Sequence, residues 1–150
     1  MINAITLYVI ERFKYDEMVN TITLNDRSIV DTKKENIYPL VAINFIDKVD
    51  TNDLYNYNFT IHVLQQRDSN RKLKPSKLME DSNYIDNLAD TESICNKFIN
   101  YIRRMEIDLP LTIENLSSIR SLSEYGVANL DGFVFDITLG LPNTGYCGVY

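Results

Sequence analysis

Apolar side chains recur along this chain at two different spacings, and the alternation between them predicts the order of its elements. Ile2, Ile5, Val9 and Phe13 fall on one face of a helical wheel, with Glu11, Arg12, Lys14 and Asp16 on the others. That spacing predicts an amphipathic helix of about four turns. In "VNTITLND" the period changes to two, Thr21 and Thr23 alternating with Ile22 and Leu24, which reads as a short strand. The polar stretch "NDRSIVDTKKEN" reads as a loop, and "YPLVAINFID" as a second strand. Pro39 stands near the start of that strand, where a missing amide donor is tolerated. Next, Tyr55, Tyr57, Phe59, Ile61 and Val63 alternate with Asn56, Asn58, Thr60 and His62. This is the pattern of a half-buried strand, one face apolar and the other wet.

Residues 66–82, "QRDSNRKLKPSKLMEDS", break the pattern with a charged, proline-containing excursion that reads as an exposed loop or arm. Tyr84, Leu88, Thr91, Cys95, Phe98, Ile102 and Met105 then step by fours and threes, giving one apolar stripe on a long helix from Tyr84 to Met105. Asp90 and Glu92 suit a helix start and leave room for a break near 87–90, with Asp90 as the cap. Arg103 and Arg104 suit the C-terminal end, and Pro110 prevents continuation. The last third reads as two strands. One is irregular, around Leu116, Ile119 and Leu122. In the other, Phe133, Phe135, Ile137 and Leu139 alternate with Val134, Asp136 and Thr138.

The order α-β-β-β-α-β-β favours an α+β fold. It implies a mostly antiparallel sheet of about four to five strands with two main helices packed on one face. At 150 residues the chain has room for a single domain, with the arm at 66–82 and a tail at 142–150 as extensions.

Charge narrows the function. Fifteen basic against twenty-one acidic residues give a formal charge of −6, which argues against a dedicated nucleic-acid binder with a basic groove. The apolar runs are too short to span a bilayer, and the start lacks the features of a secretory signal. The two cysteines, Cys95 and Cys147, set up neither a disulfide framework nor a zinc site. Synthesis inside the cell is the expectation, with no membrane insertion.

Candidate chemistry is sparse. The single histidine, His62, falls on the polar phase of its strand and reads as a solvated residue. Asp131 and Asp136 flank the last strand core, and Asp86 and Asp90 stand at i, i+4. Paired carboxylates can do acid–base work or hold divalent ions, but Asp136 reads as outward-facing. Cys95 lies on the apolar helix stripe and reads as core; Cys147 has no evident base beside it. The sequence therefore assigns no catalytic, cofactor-binding or metal-binding residues. Two features remain without an internal explanation. One is the basic run Arg67, Arg71, Lys72, Lys74 and Lys77 in a connection longer than loops usually are. The other is the apolar tail with Tyr146, Val149 and Tyr150, which is costly in water unless something covers it. The basic run reads first as a solvated loop that can also reach across to a neighbouring subunit, and the tail either folds back on its own sheet or docks on a partner.

The order of parts resembles that of the neck and tail-completion proteins of tailed bacteriophages, the group of tail terminators and head-to-tail connector ring proteins. The segments that carry the resemblance are "NAITLYVIERF", "YPLVAINFID", "YNFTIHVLQQRD", "TESICNKFINYIRRM" and, most specifically, "NLDGFVFDITLGLPNTGYC", in which "GFVFDITLGLPN" reads as an outer strand. The resemblance implies a non-enzymatic virion protein, made in the host cytoplasm. It would assemble as a hexameric or dodecameric ring between portal, adaptor or tail proteins, with genomic DNA passing through the lumen. An acidic ring would repel phosphates and let DNA leave. The alternative is a small intracellular ligand-binding or regulatory domain with Tyr55, Tyr57 and His62 lining a cleft. A third option, a small enzyme, would need Asp131 or Asp136 to converge with His62.

Overall fold

The computed structural model describes residues 2–24, 38–67, 83–104, 111–125 and 129–142. Among these residues two helices, α1 (Ile2–Lys14) and α2 (Tyr84–Arg103), accompany six strands: β1 (Thr21–Thr23), β2 (Leu40–Asp50), β3 (Leu54–Gln66), β4 (Thr112–Leu116), β5 (Arg120–Tyr125) and β6 (Leu130–Pro142). The fold is α+β. All six strands join one sheet in the order β1-β2-β3-β6-β4, with β5 also on β6, and only β1 and β2 run parallel.

The centre of the sheet is the antiparallel pair β3–β6, in register along its whole length from Leu54↔Pro142 to Gln66↔Leu130. β6 is thus an interior strand, flanked by β3 on one side and by β4 and β5 on the other, rather than the outer strand its sequence suggested. The last third holds three strands instead of the expected two. A 13-residue strand offers more edge than one short partner can cover. β4 takes residues 137–140 and β5 takes 130–134. At the break between them, Ser117 donates its amide to the Asp136 carbonyl (2.9 Å), while its hydroxyl accepts the Asp136 N–H (2.8 Å). The backbone there stays satisfied without a continuous ladder.

Alternation decides what each face meets. Tyr57, Phe59, Ile61 and Val63 of β3 join Phe135, Ile137, Leu139 and Leu141 of β6 in the main core, against Ile5, Tyr8, Val9 and Phe13 of α1 and Ile94, Cys95, Phe98 and Ile102 of α2. Both helices therefore cover one face. The rings of Phe13 and Phe98 stack at 4.4 Å and join the helices, and Phe98 meets Phe135 of the sheet at 6.2 Å. Burying side chains of this size stabilises the fold by about 1.5–3 kcal/mol each.

α2 is continuous from Tyr84, so the anticipated break near 87–90 is absent and Asp90 lies inside the helix instead of capping it. The buried stripe holds Thr91, Cys95, Phe98 and Ile102 as expected, together with Asn87, Ile94 and Ile99. The opposite sheet face is only partly wet. At one end Asn58, Thr60, Asp136 and Thr138 form cross-strand hydrogen bonds. At the other, Leu40, Ala42, Leu64 and Leu130 form a second small core under Tyr38, Leu122 and Tyr125.

One glycine is fixed by close approach. At Gly132 of β6 a Cβ would land on the carbonyl oxygen of Val63 and lie 3.1 Å from the Leu64 Cα. Gly132→Ala must push β6 off β3 or distort both, and a loss of about 1–3 kcal/mol is expected, measured as a lower denaturant midpoint. Unchanged stability would show that the pairing at this end is loose.

Candidate functional site

Three constellations stand out: a buried ion-pair cluster, a pocket between the helices, and a hairpin with one open edge. The first lies where β3 runs out. Arg67 holds Asp131 through two bonds, Nε to Oδ2 at 3.0 Å and a terminal nitrogen to Oδ1 at 2.8 Å. Asp131 is fully buried, and only 11% of the Arg67 side chain is accessible. The guanidinium also donates to Ser123 (2.9 Å) and sits over the Tyr84 ring at 4.9 Å. Asn87 of α2 donates to both Asp131 Oδ2 (3.2 Å) and the Gln66 carbonyl (3.1 Å). Asn83 donates to the same carbonyl at 3.2 Å. The cluster ties the start of α2 to β3, β5 and β6. The Asp131 carboxylate, the Arg67 guanidinium and the Asn87 amide all have partners, which is what a buried charge requires.

The second constellation is a pocket of about 400 Å³ bounded by Phe13, Ile94, Phe98 and Met18, with Arg12, Tyr15, Asp16, Glu17, Lys97 and Tyr101 around it. The Arg12 guanidinium lies 3.8 Å from the centre of the Tyr101 ring and 5.3 and 5.4 Å from those of Tyr8 and Tyr15. Tyr8 and Arg12 lie on one face of α1 at i, i+4, and Tyr15 follows in the turn just after its last residue. Lys97 pairs with Asp16 at 3.5 Å, and Asp16 also accepts the Met18 N–H at 3.0 Å. None of the ion pairs among the described residues involves Arg12, and its Nε is buried without an acceptor. Desolvation pushes the Tyr8 phenol up to about 12, against the pull of the neighbouring Arg12 cation. The arrangement suits a group carrying both an anionic and an apolar part.

The third is the β2–β3 hairpin. Among the described residues β1 pairs with β2 only as far as Ala42, and beyond it β2 has β3 alone. Phe45, Ile46 and Val49 are 38%, 53% and 48% exposed along this open edge. The turn is held by Thr51, whose hydroxyl accepts the Leu54 N–H (3.1 Å) and donates to the Leu54 carbonyl (3.0 Å). Lys48 pairs with Asp50 at 3.0 Å and lies 4.2 Å from the centre of the Tyr55 ring. Asp47 accepts from Asn58. Asp53 is exposed at the tip.

The structure separates the residues that the sequence raised as a small acid–base site. His62 is 8% exposed, not solvated, because Tyr125 of β5 stacks over it at 5.7 Å. It faces away from the helices, whereas Asp131 faces α2, so the two do not converge. Asp136 is exposed, accepting from Thr60 (2.6 Å) and Arg120 (3.2 Å). Tyr57 belongs to the helix-side core, so Tyr55, Tyr57 and His62 line no common cleft. Asp86 is exposed in the first turn of α2. Cys95 is core, its thiol pushed up to about 12 by burial, which removes it as a nucleophile at neutral pH. Among the described residues no three His, Cys, Asp or Glu side chains gather as metal ligands. Arg67, expected in the arm that meets a neighbour, is engaged within its own chain. Arg71, Lys72, Lys74, Lys77, Tyr146, Cys147, Val149 and Tyr150 lie outside the described residues. The Arg12 site was missed, although the Tyr8–Arg12–Tyr15 spacing is visible in the sequence.

No family model matches this chain, and no curated protein is significantly similar to it.

Two outcomes follow from these geometries. Asp131→Ala strands Arg67 in a buried place and is expected to cost about 3–5 kcal/mol, while Arg67→Met with Asp131→Leu costs less than that. Equilibrium unfolding of the single and double variants checks this. Because Tyr8 titrates in the fold near 12 instead of 10.0, its contribution to stability is complete below pH 10 and is lost as pH rises toward 12. Tyr8→Phe should therefore flatten the alkaline decline in that window and leave the neutral range without this slope.

Proposed function

We propose that this chain is a non-catalytic structural subunit of a tailed-bacteriophage virion. It assembles as a homo-oligomeric ring, hexamer or dodecamer, in the neck or tail, and joins the portal or connector to the tail around the channel that DNA traverses. The observation that carries the reading is the outer edge of β2 beyond Ala42, unpaired among the described residues, along which Phe45, Ile46 and Val49 are exposed beside a well-buried body. Exposed apolar side chains along an unpaired sheet edge suit an association surface. The order of elements along the chain supports the same assignment, as does the separation of His62 from Asp131. Tyr146, Val149 and Tyr150 and the basic residues Arg71, Lys72, Lys74 and Lys77 belong to the proposal as further contacts to neighbouring subunits or rings. The net charge of −6 suits a lumen that does not grip DNA.

A second reading, a ligand-binding or regulatory domain, is favoured by the pocket beside Arg12. It predicts a monomer whose unfolding temperature rises with a small acid.

Light scattering and electron microscopy of the purified chain, alone and with a portal complex, decide between the two. Annular particles with a central opening are the expected result. A chain that stays monomeric in both conditions, at concentrations up to the millimolar range, refutes the ring.

A further inference from the structure

The pocket beside Arg12 and the tip of the β2–β3 hairpin are complementary in both charge and polarity. We infer that they are the two halves of one contact: the hairpin tip of one copy seats in the Arg12 pocket of the next, with Asp53 facing the guanidinium. This deepens the ring reading and rests on it.

The argument starts from what each half lacks. Arg12 is half-buried and stacked on Tyr101 at 3.8 Å, with its Nε buried and without an acceptor. The other charges around the pocket do not answer it. Asp16 is taken by Lys97 and the Met18 amide, and Glu17 is exposed. A cation placed this way gains most from a carboxylate that arrives with its own apolar cover, since desolvation strengthens the pair only when the partner is held in good geometry. Phe13, Ile94 and Phe98 form its buried floor, and the partly buried Met18 and Tyr101 offer the apolar surface that would receive such cover.

The hairpin supplies a carboxylate and, near it, one apolar side chain. Val49, just before the turn held by Thr51, is about half exposed. Of the tip carboxylates, Asp47 is occupied by Asn58 and Asp50 by Lys48, which leaves Asp53 on the pinned turn. Because Asp53 is exposed and Arg12 has no acid partner among the described residues, the contact is not made within a single chain.

The edge of β2 argues for docking by the tip over strand addition. A register shift between Phe45 and Asp47 and the charged pair Lys48–Asp50 interrupt it. Bulges and edge lysines are the devices by which sheets refuse another strand. The contact joins unlike patches, so it is heterologous and propagates until rotation closes it.

A charge exchange tests this. Arg12→Glu and Asp53→Arg are each expected to weaken self-association by at least about tenfold, read by analytical ultracentrifugation. Mixing the two variants restores it. In an alternating assembly one contact pairs the native Asp53 with the native Arg12, and the next pairs the introduced arginine with the introduced glutamate. The exposed turn makes Asp53→Arg safe for folding, so that variant alone suffices if Arg12→Glu unfolds. Wild-type association with an Asp53→Arg variant that associates equally well overturns the hairpin–pocket contact and leaves the ring standing. Wild-type protein that never associates overturns both. Benzoate, used as a small-acid probe, is expected to compete with association. If it raises the unfolding temperature in an Arg12-dependent way while leaving association untouched, the pocket is a ligand site and the inference falls.

Discussion

The full-length pairing of β3 with β6 is the constraint on which the remaining structure depends. Two 13-residue strands lie antiparallel in unbroken register. With a side-chain period of two, that register sets the face of every residue on both strands at once. A slip of β3 by one position would turn Asn58 and Thr60 toward the helices and Phe59 and Ile61 toward water. Several kcal/mol of burial per strand hold the register in place, and Gly132 admits the close approach of β3 at one end. Just past that end, the Arg67–Asp131 pair fixes the entry of α2, so the helix begins where the strand pair stops. The two helices then need only to fill one face, which the Phe13–Phe98–Phe135 series does.

The sequence revealed those parts of the fold whose cause is local. Alternation located β3 and β6, and the helical stripe located α2 and the burial of Cys95, because each pattern repeats within a single element. What it could not reveal was set by distant partners. His62 has the polar phase of its strand, yet Tyr125, brought in by β5, stacks over it. Asn87 looks like a flaw in the stripe of α2 until Asp131 and the Gln66 carbonyl, both from the sheet, arrive to satisfy its amide. Arg67 reads as the first charge of a solvated arm, and its carboxylate partner is 64 positions away. The Arg12 site divides the same way: Tyr8 and Tyr15 are in local spacing, but Tyr101 comes from α2. β4 and β5 were blurred because each is short and interrupted by a register shift.

These same contrasts separate architecture from function. Asp131 and His62 were the groups from which chemistry might have been built, and the sheet puts them on opposite faces, each serving packing. Arg67 is a buried charge answered within the chain, by Asp131. Arg12 departs from that arrangement. Its positive charge rests on tyrosine faces, worth about 0.5–2 kcal/mol as cation–π contacts, and no carboxylate among the described residues completes it. The hairpin departs in the complementary sense, with Val49 half exposed near its turn and the Asp53 carboxylate exposed at the tip.

Net charge bears on when such halves would meet. Copies carrying −6 repel one another at long range, and the repulsion fades over a Debye length of about 8–10 Å at physiological salt. An Asp–Arg contact seated in a dry pocket is screened far less than that repulsion. The balance therefore tilts toward assembly only once copies are already close and oriented, as they would be on a surface that presents several docking positions at once. In the proposed ring, a subunit of this kind would associate more weakly in dilute solution than on such a platform, and the acidity that opposes association would also keep the channel from holding DNA.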